Sequence, residues 1–178
     1  MLVWHAITDI LTLFTYCHHV VVGFAMLHFH LLSHPKEVHR RSNTGQVIEA
    51  LWPEHCQRYI WSRQRNVLPK ALNTSMALLM PGDQASSSQD EVKGFQHFLI
   101  IDSTWQEAKK IYRQSPCLHI LPKVSVCAKP STFILRANQI EGGLSTAEVA
   151  VNLLSQQGYH QQAEQLECNY HAFMRQCL

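Results

Sequence analysis

No two of the six cysteines (Cys17, Cys56, Cys117, Cys127, Cys168 and Cys177) stand as Cys-x-x-Cys, and no framework spacing links them. That argues against a structural zinc site and a disulfide scaffold, and fits reduced thiols in a cytoplasmic protein. Gly-x-Gly-x-x-Gly, a Walker loop and a Gly-x-Ser-x-Gly elbow are all missing, so the common dinucleotide, triphosphate and serine-hydrolase signatures are not there. His34-Pro35-Lys36-Glu37-Val38-His39 matches neither zincin pattern, and Pro35 spoils a helix that would present both histidines. Charge is sparse: 16% of residues are charged, and the net is +2 with histidine neutral, which by itself says little about nucleic acid. No Lys or Arg opens the chain, so a secretory signal is not expected. Residues 1–33 are strongly apolar, but Asp9, His18, His19, His28 and His30 interrupt them, and no membrane span is expected.

What is there is one domain's worth of chain: 178 residues, 46% apolar. Residues 1–30 read as an atypical apolar leader with the start of a first strand, and 31–178 as the domain. Strands are expected at Met26–Leu32, Arg58–Trp61, Met76–Met80, Phe95–Ile101 and Ser131–Arg136, with an exposed loop over Gly82–Gly94. Asn43 can cap a short helix through Gln46, Val47 and Ala50 that Pro53 stops. Trp105, Ala108, Ile111 and Tyr112 share one helical face, with Thr104 and Glu107 at capping-box spacing and Pro116 as a stop. Ser145-x-x-Glu148 opens a second helix that Gly158 ends, and Gln161–Arg175 reads as a last amphipathic helix. Alternation of this kind predicts an α/β fold: a single, mostly parallel sheet flanked by helices.

Ligands in such sheets gather at the carboxyl ends of strands. Leu78 to Gly82 and Ile100 to Trp105 fall there. Asp102, where a buried strand turns into a helix, is equally a cap and a catalytic carboxylate on spacing alone. Trp105 reads as core packing before a stacking platform. The helix start at Ser145 suits an anion, although an ordinary capping box explains it as well. Arg40-Arg41, Arg58 with Arg63 and Arg65, and Lys109-Lys110 with Arg113 form local basic clusters.

Several of these segments together resemble one family. Asp102-Ser103-Thr104-Trp105 looks like the Asp-x-Thr-Trp signature of DTW-domain proteins. His34-Pro35-Lys36-Glu37, Asn43-Thr44-Gly45, Leu79-Met80-Pro81-Gly82, Leu121-Pro122, Ser131 to Arg136 and Leu144 to Glu148 are similar to further family segments, in the same order. The resemblance spans about Leu31 to Arg175. It implies a fold similar to the knotted SPOUT methyltransferases. It also implies a tRNA-uridine aminocarboxypropyltransferase that uses S-adenosylmethionine as co-substrate and tRNA as acceptor. The cysteine-rich, zinc-binding segment of many members has no counterpart in residues 1–30, which hold only Cys17, and no metal is expected.

On that resemblance Asp102 is the expected general base toward uridine N3, with Thr104 and Trp105 completing the catalytic signature. Leu79, Pro81, Gly82, Leu121, Pro122, Ser145 and Thr146 are expected to line the S-adenosylmethionine site. Arg40, Arg41, Asn43, Thr44, Arg63 and Arg136 are the expected RNA contacts. Two other readings stay open: an RNA methyltransferase with the same co-substrate, and a noncatalytic RNA-binding relative. The sequence names neither the uridine nor the oligomeric state.

Overall fold

A computed structural model describes residues 26–68, 76–81, 92–126 and 143–177. Apolar, β-favouring runs build five strands: β1 (His28–Ser33), β2 (Cys56–Ile60), β3 (Met76–Leu79), β4 (His97–Asp102) and β5 (Lys123–Val124). They pair in the order β2-β1-β4-β3-β5, and every pairing is parallel. All four residues of β3 are buried, as befits an interior strand covered on both faces. The expected strands at the first four places are present, shifted by a residue or two. The two-residue β5 lies below what a hydrophobic pattern can signal. The strand expected at Ser131–Arg136 and most of the loop expected from Gly82 lie outside the described residues.

Helices cover both faces. On one side α1 (Gly45–Leu51), α4 (Thr146–Gln156) and α5 (His160–Cys177) pack Val47, Ile48, Leu153, Leu154 and Leu166 against Phe29, Leu31, Phe98 and Ile100. On the other, α2 (Trp105–Gln114) and α3 (Pro116–His119) pack Ile111 and Leu118 against Leu32, Leu78 and Leu99. The strand period of two sends alternate side chains into the two layers. No helix among the described residues is long and apolar enough to cross a membrane.

Both expected capping boxes form. The Thr104 hydroxyl accepts from the Glu107 amide while the Glu107 carboxylate accepts from the Thr104 amide, and Ser145 and Glu148 repeat the exchange. At the far end of α4, Gly158 takes φ +86°, and the Tyr159 amide donates to the Leu154 carbonyl. That left-handed step suits glycine and lets the chain turn into α5. The helix expected to start from Asn43 starts one residue later, with Thr44 at the cap position and no side-chain cap bond. The reason is that Asn43 is engaged elsewhere, as described below.

At the amino end of the sheet, four imidazoles crowd together. The His28 ring lies 4.8 Å from that of His55 and 4.7 Å from that of His97, and His30 Nε2 is 3.0 Å from His97 Nδ1. Burial, then the neighbouring His97 and His28, pull the His30 pKa down to about 4, against 6.5 in an unfolded chain. The unfolded chain therefore takes up this proton first as pH falls. The His30 contribution is constant above pH 6.5, is lost as pH drops from 6.5, and levels off below about 4. The loss should be on the order of 2–3 kcal/mol, less where water screens the ring. Urea midpoints measured between pH 7 and 4.5 should fall for the wild type and fall less for His30→Gln. An equally steep fall in the variant would rule His30 out as the cause.

Candidate active site

The chain leaves β1 toward β2 on one side, and leaves β4 toward β5 on the other. The carboxyl ends of β1 and β4 are therefore a point where the connections diverge, the usual place for a ligand crevice in an open α/β sheet. Ser33 and Asp102 end these strands side by side in register. Both face the layer of α1 and α4.

Asp102 is 1% exposed and gathers four donors. Its Oδ2 accepts from Ser33 Oγ at 2.8 Å, Asn43 Nδ2 at 2.8 Å and Arg58 Nη1 at 2.6 Å. Its Oδ1 accepts from Thr146 Oγ1 at 2.8 Å. Arg58 Nη1 also donates to Ser33 Oγ. The other edge of the Arg58 guanidinium grips Glu49: Nε donates to both carboxylate oxygens at 2.9 Å, and Nη2 lies 2.6 Å from Oε2. Burial opposes the Arg58 charge, but the bonds and charges of Glu49 and Asp102 more than offset it and push its pKa up. Two carboxylates share one guanidinium here, so Glu49, Arg58 and Asp102 carry one net negative charge.

A second set of bonds ties α1 and α4 together at the same place. The Asn43 amide donates to the Glu37 carbonyl as well as to Asp102. The Thr44 hydroxyl accepts from the Ala147 amide at 3.2 Å. Gly45 allows a close approach: a Cβ there would sit a tight 3.0 Å from Arg58 Nη2, Asn43 Oδ1 and Leu31 Cδ1.

The sequence-predicted residues divide clearly. Asp102 and Thr146 meet directly. Thr104 caps α2. Trp105 is partly buried, with the Lys109 ammonium 4.9 Å from its ring centre, a cation–π pair on the helix's own face. Leu79 and Pro81 lie at the end of β3; carrying the β3–β4 register forward brings Pro81 level with Asp102. Leu121 is in the core on the α2 face and Pro122 is exposed, its carbonyl accepting from Leu78. Gly82 and Arg136 lie outside the described residues.

The expected RNA contacts and the expected anion site differ in how far their polar groups are already engaged. Asn43 and Thr44, expected as RNA contacts, are 0% and 3% exposed and spend their polar groups inside the protein. The start of α4, expected to receive a carboxylate, already has acceptors for two first-turn amides: Ser145 Oγ for Glu148 and Thr44 Oγ1 for Ala147. Arg40, Arg41 and Arg63 are exposed, as RNA contacts would be; Arg40 pairs with Glu37 at 3.0 Å, and Arg63 Nε donates to Gln114 Oε1 at 3.3 Å.

Ser33, Arg58 and Glu49 were missed as site residues. In the sequence Arg58 reads only as part of a basic cluster, and no spacing rule joins it to a carboxylate 44 positions away. At Cys56, two residues before Arg58, burial and then Glu49 push the thiol pKa up to about 12, which disfavours the thiolate. Among the described residues no group of three or more His, Cys, Asp or Glu could hold a metal ion.

Comparison with known proteins gives a consistent result. The family model described as DTW domain matches residues 11–178. The tRNA-uridine aminocarboxypropyltransferase 2 of Drosophila melanogaster is 33% identical over 135 residues, covering 70% of this chain and 54% of the fly protein. Its Mus musculus namesake is 27% identical over 143 residues, covering 72% of this chain and 47% of the mouse protein. The chain thus spans about half the length of these relatives. No solved structure matches it.

Two stability outcomes follow from the buried network. Arg58→Met strands the Asp102 carboxylate in the interior and should destabilise the fold by about 3–5 kcal/mol, read from denaturant midpoints. Gly45→Ala forces three neighbours to shift and should cost about 1–3 kcal/mol by the same measurement. A Gly45→Ala midpoint equal to wild type would show that Arg58 and Asn43 yield freely.

Proposed function

The chain belongs to the DTW domain family, and on that premise we propose that it transfers the 3-amino-3-carboxypropyl group of S-adenosylmethionine to N3 of a uridine in tRNA. The observation that carries the reading is the Asp102 carboxylate, buried at the diverging ends of β1 and β4 within a cluster of net charge −1. A crevice beside uncompensated negative charge favours a sulfonium, a cation, over an anionic ligand. The names of the fly and mouse relatives supply the acceptor and the group transferred.

In this reaction N3 loses its proton, attacks the γ-carbon of the methionine moiety, and the γ-carbon–sulfur bond breaks. Its electron pair stays on sulfur and neutral methylthioadenosine leaves. The protein must accept the N3 proton and hold the γ-carbon, rather than the methyl group, in line with N3. We assign the proton to Asp102 through Oδ1. Oδ2 is occupied by three donors, whereas Oδ1 holds only the Thr146 hydroxyl among the described residues, so it has a lone pair to offer. Arg58, Asn43 and Ser33 then act as positioning residues that fix the carboxylate's angle. Thr146, Leu79 and Pro81 are the described residues best placed to flank the co-substrate. Thr104 and Trp105 serve by starting α2 immediately after Asp102, which sets the direction in which the strand end points. The merging of an N3 anion with a sulfonium disperses charge, so exclusion of water from the crevice speeds it.

The test is mass spectrometry of nucleosides and small products after incubating the protein with S-adenosylmethionine and bulk tRNA. Aminocarboxypropyluridine with methylthioadenosine is the expected result. S-adenosylhomocysteine instead would mean methyl transfer, and no co-substrate binding by calorimetry would mean a noncatalytic RNA binder. Asp102→Asn, which keeps the shape and removes the base, should slow turnover by about 10²–10⁴-fold. Wild-type turnover in a folded Asp102→Asn protein would remove Asp102 from the proton transfer.

A further inference from the structure

At the same carboxyl end of the sheet, but on its other face, lies a cleft of about 160 Å³ between the segment after β2 and the junction of α2 with α3. Leu32 and Leu68 form its apolar floor, and Arg63, Arg65, Asn66 and Gln114 line its polar part. No carboxylate lines it, and neither arginine pairs with one among the described residues. Arg58 and Arg40, by contrast, are each tied to an acid.

The cleft's walls are held in place. The Trp61 amide donates to the Ser33 carbonyl at 2.9 Å, which fixes the start of the segment to the strand end beside Asp102. The Trp61 indole N–H donates to Ser115 Oγ at 2.9 Å, which fixes it to the end of α2. Asn66 Oδ1 accepts from the Leu68 amide at 3.1 Å and Ser62 Oγ from the Gln64 amide at 3.4 Å, so short side chains brace the turn from within. Arg63 Nε donates to Gln114 Oε1 at 3.3 Å, which spans the cleft and leaves the terminal nitrogens of that guanidinium for a ligand. The Trp61 ring stacks with His34 at 5.9 Å and so is already committed. What the cleft offers is charge and N–H donors, not an aromatic platform.

We propose that this cleft seats a backbone phosphate of the RNA acceptor, with Arg63 and Arg65 as its ligands and Gln114 as the residue that orients Arg63. The inference rests on the tRNA reading above and adds where the strand lies. With its target base turned toward Asp102, the RNA crosses the carboxyl end of the sheet and places a flanking phosphate on the opposite face. Guanidinium suits this ligand because its planar fork meets two phosphate oxygens at once. A cationic cleft at a surface of low net charge also lets the protein bind RNA locally without a basic character overall.

The experiment is fluorescence anisotropy of labelled tRNA binding to the full chain at a series of salt concentrations. The variants are Arg63→Gln/Arg65→Gln and, matched for lost charge, Lys110→Gln/Arg175→Gln. The cleft variant should bind roughly tenfold or more weakly and lower the slope of log affinity against log salt by about one to two. Its melting temperature and its S-adenosylmethionine binding by calorimetry should equal wild type. Wild-type tRNA affinity and slope in the cleft variant overturns the proposal, and so does an equal loss in the matched variant, which would mean net charge alone. Failure of the wild type itself to bind tRNA would instead overturn the reading beneath it.

Discussion

The ion pair between Asp102 and Arg58 is the constraint on which the rest of this end of the molecule depends. Both side chains are largely out of water, and neither charge is tolerable there alone. Pairing them requires β1, β2 and β4 to end at the same level. It also requires the turn carrying Asn43 to close over them, and α4 to start where Thr146 can reach Oδ1. Glycine at position 45 suits the same requirement, because a Cβ there would press on the guanidinium and the Asn43 side chain at 3.0 Å. One electrostatic need thereby coordinates four segments that are distant in the chain.

That arrangement also sets the charge at these strand ends. Glu49 takes most of the Arg58 fork and leaves Asp102 incompletely neutralised, so the local charge is negative. The start of α4 reinforces this. Two of its first-turn amides already have hydroxyl acceptors, so fewer are left to an anion than at a bare helix terminus. On the proposed reading, the strands would separate the sulfonium on one face of the sheet from the phosphate on the other, which keeps the phosphate from pairing with the sulfonium instead of the arginines.

Much of the fold was legible because its signals are local. Buried parallel strands write continuous apolar runs, and Phe95 to Ile101 marked β4 to within two residues. Thr104 with Glu107, Ser145 with Glu148, and Gly158 each announced a helix end through bonds spanning a few residues. β5 was not legible, since two residues carry no period. Asn43 misled for a physical reason: its side chain suits a helix cap, but a buried carboxylate from β4 competed for the amide and won.

The sequence by itself determined the α/β alternation, the place of Asp102 at a strand-to-helix handover and, through its ordered motifs, the family. Those properties rest on neighbours within a turn or two, where geometry is set by the chain. Only the tertiary structure decided that Arg58, Ser33, Asn43 and Thr146 converge on that carboxylate, that Glu49 shares the guanidinium, and that Arg63 and Arg65 meet in a cleft with Gln114. These pairings join residues up to 69 positions apart. They arise because burying a charge forces the fold to bring it partners, from wherever in the chain the packing can deliver them.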